Sequence, residues 1–147
     1  MYLPRYTYKI SNNFLDYEFI SVGPQGAFKK VVRFTQISTC IYNLAFGDLN
    51  AETGEINDIS VTNNSDSQKV LATIASIVHD FTFQFPNGWI FAKGSTVSRT
   101  RLYRMGIANN WEDISVKFEV FGLTETYWEA FEKRKNYDAF LVRRKYL

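Results

Sequence analysis

Val70-Leu71-Ala72-Thr73-Ile74-Ala75-Ser76-Ile77-Val78-His79-Asp80-Phe81-Thr82-Phe83-Gln84-Phe85-Pro86-Asn87-Gly88-Trp89-Ile90-Phe91-Ala92 holds two patterns from which the rest of the chain can be read. Val70, Ile74, Ile77, Val78, Phe81 and Phe85 recur at three-, four- and seven-residue intervals, which gathers apolar side chains on one helix face. Ser67, Lys69, Thr73, Ser76 and Asp80 fill the other face. The spacing predicts a helix from Asn64 to Phe85, with Ser65 and Gln68 placed as a capping box. Pro86-Asn87-Gly88 stops it, and Trp89 to Ala92 reads as a short strand inside a sheet. A helix lying across a sheet with an internal strand is the expected centre of the domain.

The next stretch, Gly94-Ser95-Thr96-Val97-Ser98-Arg99-Thr100-Arg101-Leu102-Tyr103-Arg104, reads as a turn opening a second helix that runs from Ser95 to Asn109. Gly94 suits the turn, and Ser95 or Thr96 can cap the helix while other first-turn N–H groups stay open. Leu102 and Met105 are assigned to the core side. Arg99 and Tyr103 are four residues apart and share one face, while Arg101 and Arg104 are three apart and share another.

On either side the chain reads as strands. Upstream these are 5–10, 16–22, 30–36, 41–46 and 56–61; downstream they are 116–120, 127–131 and 139–143. Gly23-Pro24-Gln25-Gly26 is a turn, and residues 47–54 are a polar loop without the ligand spacing of an EF-hand. The expectation is one α+β domain over residues 1–147, a predominantly antiparallel sheet with two main helices packed on it. A chain of 147 residues can bury roughly 70% of the surface its unfolded form exposes, so it needs no staple.

Net charge is only +2, so electrostatic function must come from where charges lie. Asp48 to Asp80 holds six acids and one base, whereas Phe81 to Trp111 holds four bases and no acid. The single cysteine, Cys40, excludes an internal disulfide and a CxxC motif, and no apolar run approaches a membrane span. A cytoplasmic location is expected, with no signal-peptide pattern at Met1 to Ile10.

Asp58-x-Ser60-x-Thr62-Asn63-Asn64-x-Asp66-x-x-Lys69-Val70-Leu71, Gly94-Ser95-Thr96-x-x-Arg99-Thr100-Arg101-Leu102-Tyr103 and Phe140-Leu141-Val142-Arg143-Arg144 together resemble a family of small uncharacterised bacterial proteins of similar length. The likeness implies a free-standing bacterial domain and brings no activity, cofactor or catalytic residue with it.

Chemistry therefore rests on residues. Gly94, Ser95, Thr96, Arg99, Arg101, Tyr103 and Arg104 are the expected ligand-binding set. Backbone N–H groups and hydroxyls at a helix start, joined by planar guanidinium donors, suit phosphate oxygens, and Tyr103 or Trp111 could stack a base. The structural alternative, arginines solvating the helix or pairing with acids, carries equal weight. Lys133-Arg134-Lys135 and Arg143-Arg144-Lys145 would extend the surface only if they converge on it. His79, the sole histidine, reads as a satisfied helix residue. It cannot supply a multi-histidine metal site, no metal or cofactor is expected, and no nucleophile elbow accompanies it. A nucleotidyltransferase reading lacks its Asp-x-Asp, and a histidine-free ribonuclease would use Arg99, Tyr103 and Arg104. Two readings remain: a domain binding RNA or a nucleotide, toxin-like within a stress or defence module, or a non-catalytic domain docking an acidic protein through its basic helix.

Overall fold

The computed structural model describes residues 4–57 and 64–145. Four strands come first: β1 (Lys9–Ile10), β2 (Asp16–Gly23), β3 (Gly26–Ser38) and β4 (Ile41–Leu49). The short β5 (Ile56–Asn57) precedes α1 (Ser67–Gln84), β6 (Trp89–Ala92) and α2 (Val97–Asn109). Then follow α3 (Trp111–Lys117), β7 (Phe118–Leu123), β8 (Trp128–Ala130) and β9 (Ala139–Arg144). The described strands form one sheet in the order β1-β2-β3-β4-β6-β9-β7-β8, with β5 paired to β4.

The first half is the expected antiparallel meander, tightened at Gly23↔Gly26 where Gly26 takes a φ of 116° that a side chain would resist. Among the described strands a single parallel pair, β4 with β6, follows from α1 crossing over the sheet between them. Antiparallel β9 closes the other side of β6, so Trp89 to Ala92 is internal as its apolar run predicts. This is the α+β, predominantly antiparallel architecture expected from the sequence.

Alternation places Tyr17 and Phe19, Val32 and Phe34, Leu44 and Phe46, and Phe118 and Val120 in one core with Val70, Ile74, Ile77 and Phe81 of α1. The Phe34 and Phe81 rings stack at 3.8 Å between centroids, and Tyr42 meets Phe81 edge-on at 5.1 Å.

Several local expectations are corrected. Residues 5–8 are not strand; only Lys9–Ile10 pairs, and Arg5 to Tyr8 instead runs along the polar face of α1. That explains why Thr73, assigned to solvent by its polarity, is fully buried. Its Oγ1 donates to the Lys69 carbonyl at 2.7 Å and accepts the Tyr6 N–H at 2.8 Å. The capping box does not form: Asp66 precedes the first turn without a side-chain cap, and Ser65 has a φ of 58°. The second helix begins at Val97 rather than Ser95, and α3 takes residues from the N-terminal side of the strand expected at 116–120. Of the strand expected at 56–61, residues 58–61 lie outside the described part.

Candidate functional site

Thr96 has extended backbone, and its side chain accepts the Arg99 N–H at 3.1 Å, so it caps α2 as one of the two candidates predicted. Thr100 ties the turn down. Its Oγ1 donates to the Thr96 carbonyl at 3.2 Å and accepts the Gly94 N–H at 3.0 Å. Gly94 is required by close approach rather than by an unusual φ: a Cβ there would stand 2.5 Å from Thr100 N and 2.6 Å from Arg99 Cβ. The first-turn amides of Val97 and Ser98 have no acceptor inside the helix.

The start of α1 faces the same space. Asn64 to Ser67 and, from the second helix, Thr96, Ser98, Arg99, Leu102 and Tyr103 line a cleft of about 290 Å³ that also takes in Lys30 of β3 and Phe46 of β4. Two helix N-termini thus open on one cavity, and their dipoles add to its positive potential. Arg99 is buried to 8% exposure, with its guanidinium 5.1 Å above the Phe46 ring. Lys30 is equally withdrawn and pairs with Asp48. Asp66 is the acid of the cleft, and its Oδ2 accepts hydrogen bonds from Tyr6 Oη at 2.6 Å and Ser21 Oγ at 2.5 Å. Asn64, 2% exposed, fixes the wall by donating to Ser21 Oγ and the Gly26 carbonyl while its oxygen accepts the Gln25 N–H.

The predicted set divides. Thr96, Arg99 and Tyr103 line the cleft, with Arg99 and Tyr103 on one helix face as their spacing requires. Gly94 acts behind them through backbone packing, while Ser95 is exposed beside the turn. Arg101 is solvent-exposed and lies outside the cleft lining, and Arg104 points elsewhere, donating from Nη1 to the Lys133 carbonyl at 2.9 Å. The helix is rotated relative to the sequence reading. Met105 is 39% exposed, while Gly106 packs where a Cβ would be 3.0 Å from Leu71, so Tyr103 and Gly106 rather than Met105 turn to α1; Leu102 is half-buried and lines the cleft with Val70 and Leu71. Trp111 packs on Phe131 at 5.0 Å and is not a cleft residue.

Of the C-terminal basic clusters, Lys135, Arg143, Arg144 and Lys145 are engaged in other contacts, while Lys133 and Arg134 are exposed and do not line the cleft. Arg143 pairs with Glu119 and stacks on Trp89; Arg144 donates to the His79 carbonyl; Lys145 donates to the Ser115 carbonyl; Lys135 pairs with Glu129. These are structural contacts.

Sequence reasoning missed a second polar constellation, because its members are separated along the chain. Tyr8 Oη donates to Asp80 Oδ2 and lies 3.1 Å from Ser76 Oγ. Asp80 Oδ1 stands 3.7 Å from His79 Nδ1, and His79 Nε2 is 3.4 Å from Lys117 Nζ. Burial, then the bond to Asp80, pushes the Tyr8 hydroxyl up to about 12. Burial, then Arg144 and Lys117, holds the His79 imidazole below its ordinary value. These groups border a cleft of about 610 Å³ between residues 5–8, α1 and α3. The i, i+4 spacing of Ser76 and Asp80 is legible in the sequence; their shared partner Tyr8 is not.

No group of His, Cys, Asp and Glu suited to a metal ion occurs among the described residues, and no described helix is long and apolar enough to cross a membrane. No curated protein and no solved structure matches the chain. The pattern of DUF6934, a family of unknown function, matches residues 2–145, and the chain belongs to that family.

Proposed function

We propose that the cleft between the starts of α1 and α2 binds a phosphate-bearing ligand, a nucleotide or the phosphorylated end of an RNA. The observation that carries this reading is the convergence of two helix N-termini with the buried guanidinium of Arg99 on one cavity. Arg99 and Tyr103 also have partners inside the protein. A guanidinium offers five N–H donors in a fork, so internal contacts and a phosphate are compatible. Val70, Leu71 and Phe46 supply the apolar wall that a base or sugar would meet. Enclosure favours one nucleotide unit over a long strand lying along the surface, and a cytoplasmic nucleotide or RNA pool would supply it. A toxin-like role in a stress or defence module belongs to the same reading if the bound RNA is also cleaved.

The test compares Arg99→Gln with Arg101→Gln for binding of a nucleoside monophosphate and a short 5′-phosphorylated RNA at two salt concentrations. Arg99→Gln should weaken binding by about tenfold or more, the worth of a charge-assisted hydrogen bond, with the salt slope reduced. Arg101→Gln should bind as wild type does. Equal affinities of both variants and wild type would refute the site.

A second reading has one observation of its own. Val97, Arg101 and Met105 follow one another at i, i+4 spacing, and the apolar pair is 71% and 39% exposed. Such a stripe suits an acidic protein with an apolar ridge. Loss of a co-purifying acidic protein on Arg101→Glu, with nucleotide binding unchanged, would favour it.

A further inference from the structure

The second cleft has a different chemistry from the first. Its polar end is a chain of groups each oriented by the next: Tyr8 donates to Asp80, Asp80 faces His79 Nδ1, and His79 Nε2 faces Lys117 Nζ. With Asp80 Oδ1 3.7 Å from Nδ1, the carboxylate favours the proton on that nitrogen by charge rather than through a hydrogen bond, and that tautomer presents Nε2 to the lysine ammonium. Lys117 is then anchored through one N–H while two remain for another acceptor. Arg5 lines the same cleft on the opposite side, from the segment that crosses α1.

Apolar side chains adjoin these groups: Ala75, Ile114, Val116 and Phe118 also line the cleft, Phe118 lies edge-on to the His79 ring at 6.4 Å, and Val116 is left 64% exposed. Charges in the lining are balanced, Arg5 and Lys117 against Asp80 and Asp113, and Asp80 is turned to Tyr8 and His79. A balanced site with one oriented ammonium accommodates a single negative charge better than a phosphate dianion, and its apolar wall suits hydrocarbon.

We propose that the cleft between residues 5–8, α1 and α3 is a separate binding site for a small monocarboxylate with a hydrocarbon body, whose carboxylate meets Lys117 and Arg5. His79 is a positioning residue that aims Lys117, and Asp80 and Tyr8 hold His79. The site does not depend on the phosphate-binding reading, since no residue lines both clefts.

His79 is the only histidine of the chain, so its imidazole NMR signals report this cleft alone. The full-length protein at neutral pH is titrated with hexanoate, acetate and inorganic phosphate. Hexanoate should shift the His79 ring signals saturably, and acetate should bind about tenfold or more weakly because it lacks the buried methylenes. Lys117→Met should weaken hexanoate by about tenfold or more, and Lys117→Arg should restore most of the loss. Lys117 is exposed, so its variants should keep the wild-type unfolding midpoint, which the same samples check. Val116→Ser provides an independent arm that trims the apolar wall without adding charge and leaves Lys117 in place; it should narrow the preference for hexanoate over acetate. Arg101→Gln, exposed and outside both clefts, should change none of these values. A non-saturating drift, equal binding of hexanoate and phosphate, or a Lys117→Met protein that binds hexanoate as wild type does would each overturn the site.

Discussion

His79 illustrates how one residue's chemistry is set by neighbours from other parts of the chain. Asp80 stands beside it on α1, Lys117 reaches it from α3, and Arg144 approaches from β9, while Tyr8 engages the far side of Asp80. Partial burial, then two cations, outweigh one acid, so the folded protein holds this imidazole below its ordinary value of 6.5. The unfolded chain then binds the proton more readily than the folded one. Stability is fully present above the ordinary value and is lost as pH falls through that value towards the lower folded one. His79→Gln keeps a hydrogen-bonding side chain and removes the titration. Between about pH 7.5 and about pH 5, the wild-type unfolding midpoint should therefore fall further than that of His79→Gln. Parallel curves, followed by circular dichroism, would show that the imidazole is not perturbed by its surroundings.

At the scale of an element, α1 is clamped on two faces by different chemistry. Its apolar face presents Phe81, fully buried and in contact with the rings of Phe34, Tyr42 and Phe85. Two residues on, Phe83 is 70% exposed. Phe81→Ala should cost about 3 to 5 kcal/mol through lost burial and an aromatic cavity, whereas Phe83→Ala should stay within about 0.5 kcal/mol. Urea melts of the two variants make the comparison, and similar small losses would mean that the helix is rotated from this placement. The sequence revealed this face because a 3.6-residue period is local information. It did not reveal the second face, since Thr73, Ser76 and Asp80 look solvent-directed until Tyr6 and Tyr8 supply their partners across more than sixty residues. The same reasoning separates the arginines of α2. Spacing showed that Arg99 shares a face with Tyr103, but which face turns to the cleft depends on Gly106 packing against Leu71. α3 is hard to read from the sequence because it is only 7 residues long and runs straight into a strand, although Trp111 and Ile114 turn to the core and Glu112 and Asp113 in its first turn and Lys117 in its last complement the helix dipole.

Across the whole molecule, the sheet consists of two antiparallel halves, β1-β2-β3-β4 and β9-β7-β8, joined only through β6 among the described strands. That strand has four residues, yet it is bonded on both sides: Ile41↔Trp89 to Leu44↔Ala92 towards β4, and Ile90↔Val142 to Ala92↔Phe140 towards β9. Ile90 is 1% exposed and Ala92 7%, so α1 covers the joint against water. Protection from hydrogen exchange follows hydrogen bonding and burial rather than strand length. The amides of Ile90 to Ala92 and their β9 partners should exchange at the rate of global unfolding, while β1 and β8 at the sheet edges should exchange orders of magnitude faster. Native-state exchange followed by NMR measures this residue by residue. The outcome also bears on both clefts. The Thr96 turn leaves β6 four residues after Ala92, and α3 runs directly into β7, so each cleft is framed by elements anchored to this joint. Should β6 exchange as fast as β8, the two half-sheets would open independently, and the distance between the starts of α1 and α2 could not be held fixed for a ligand.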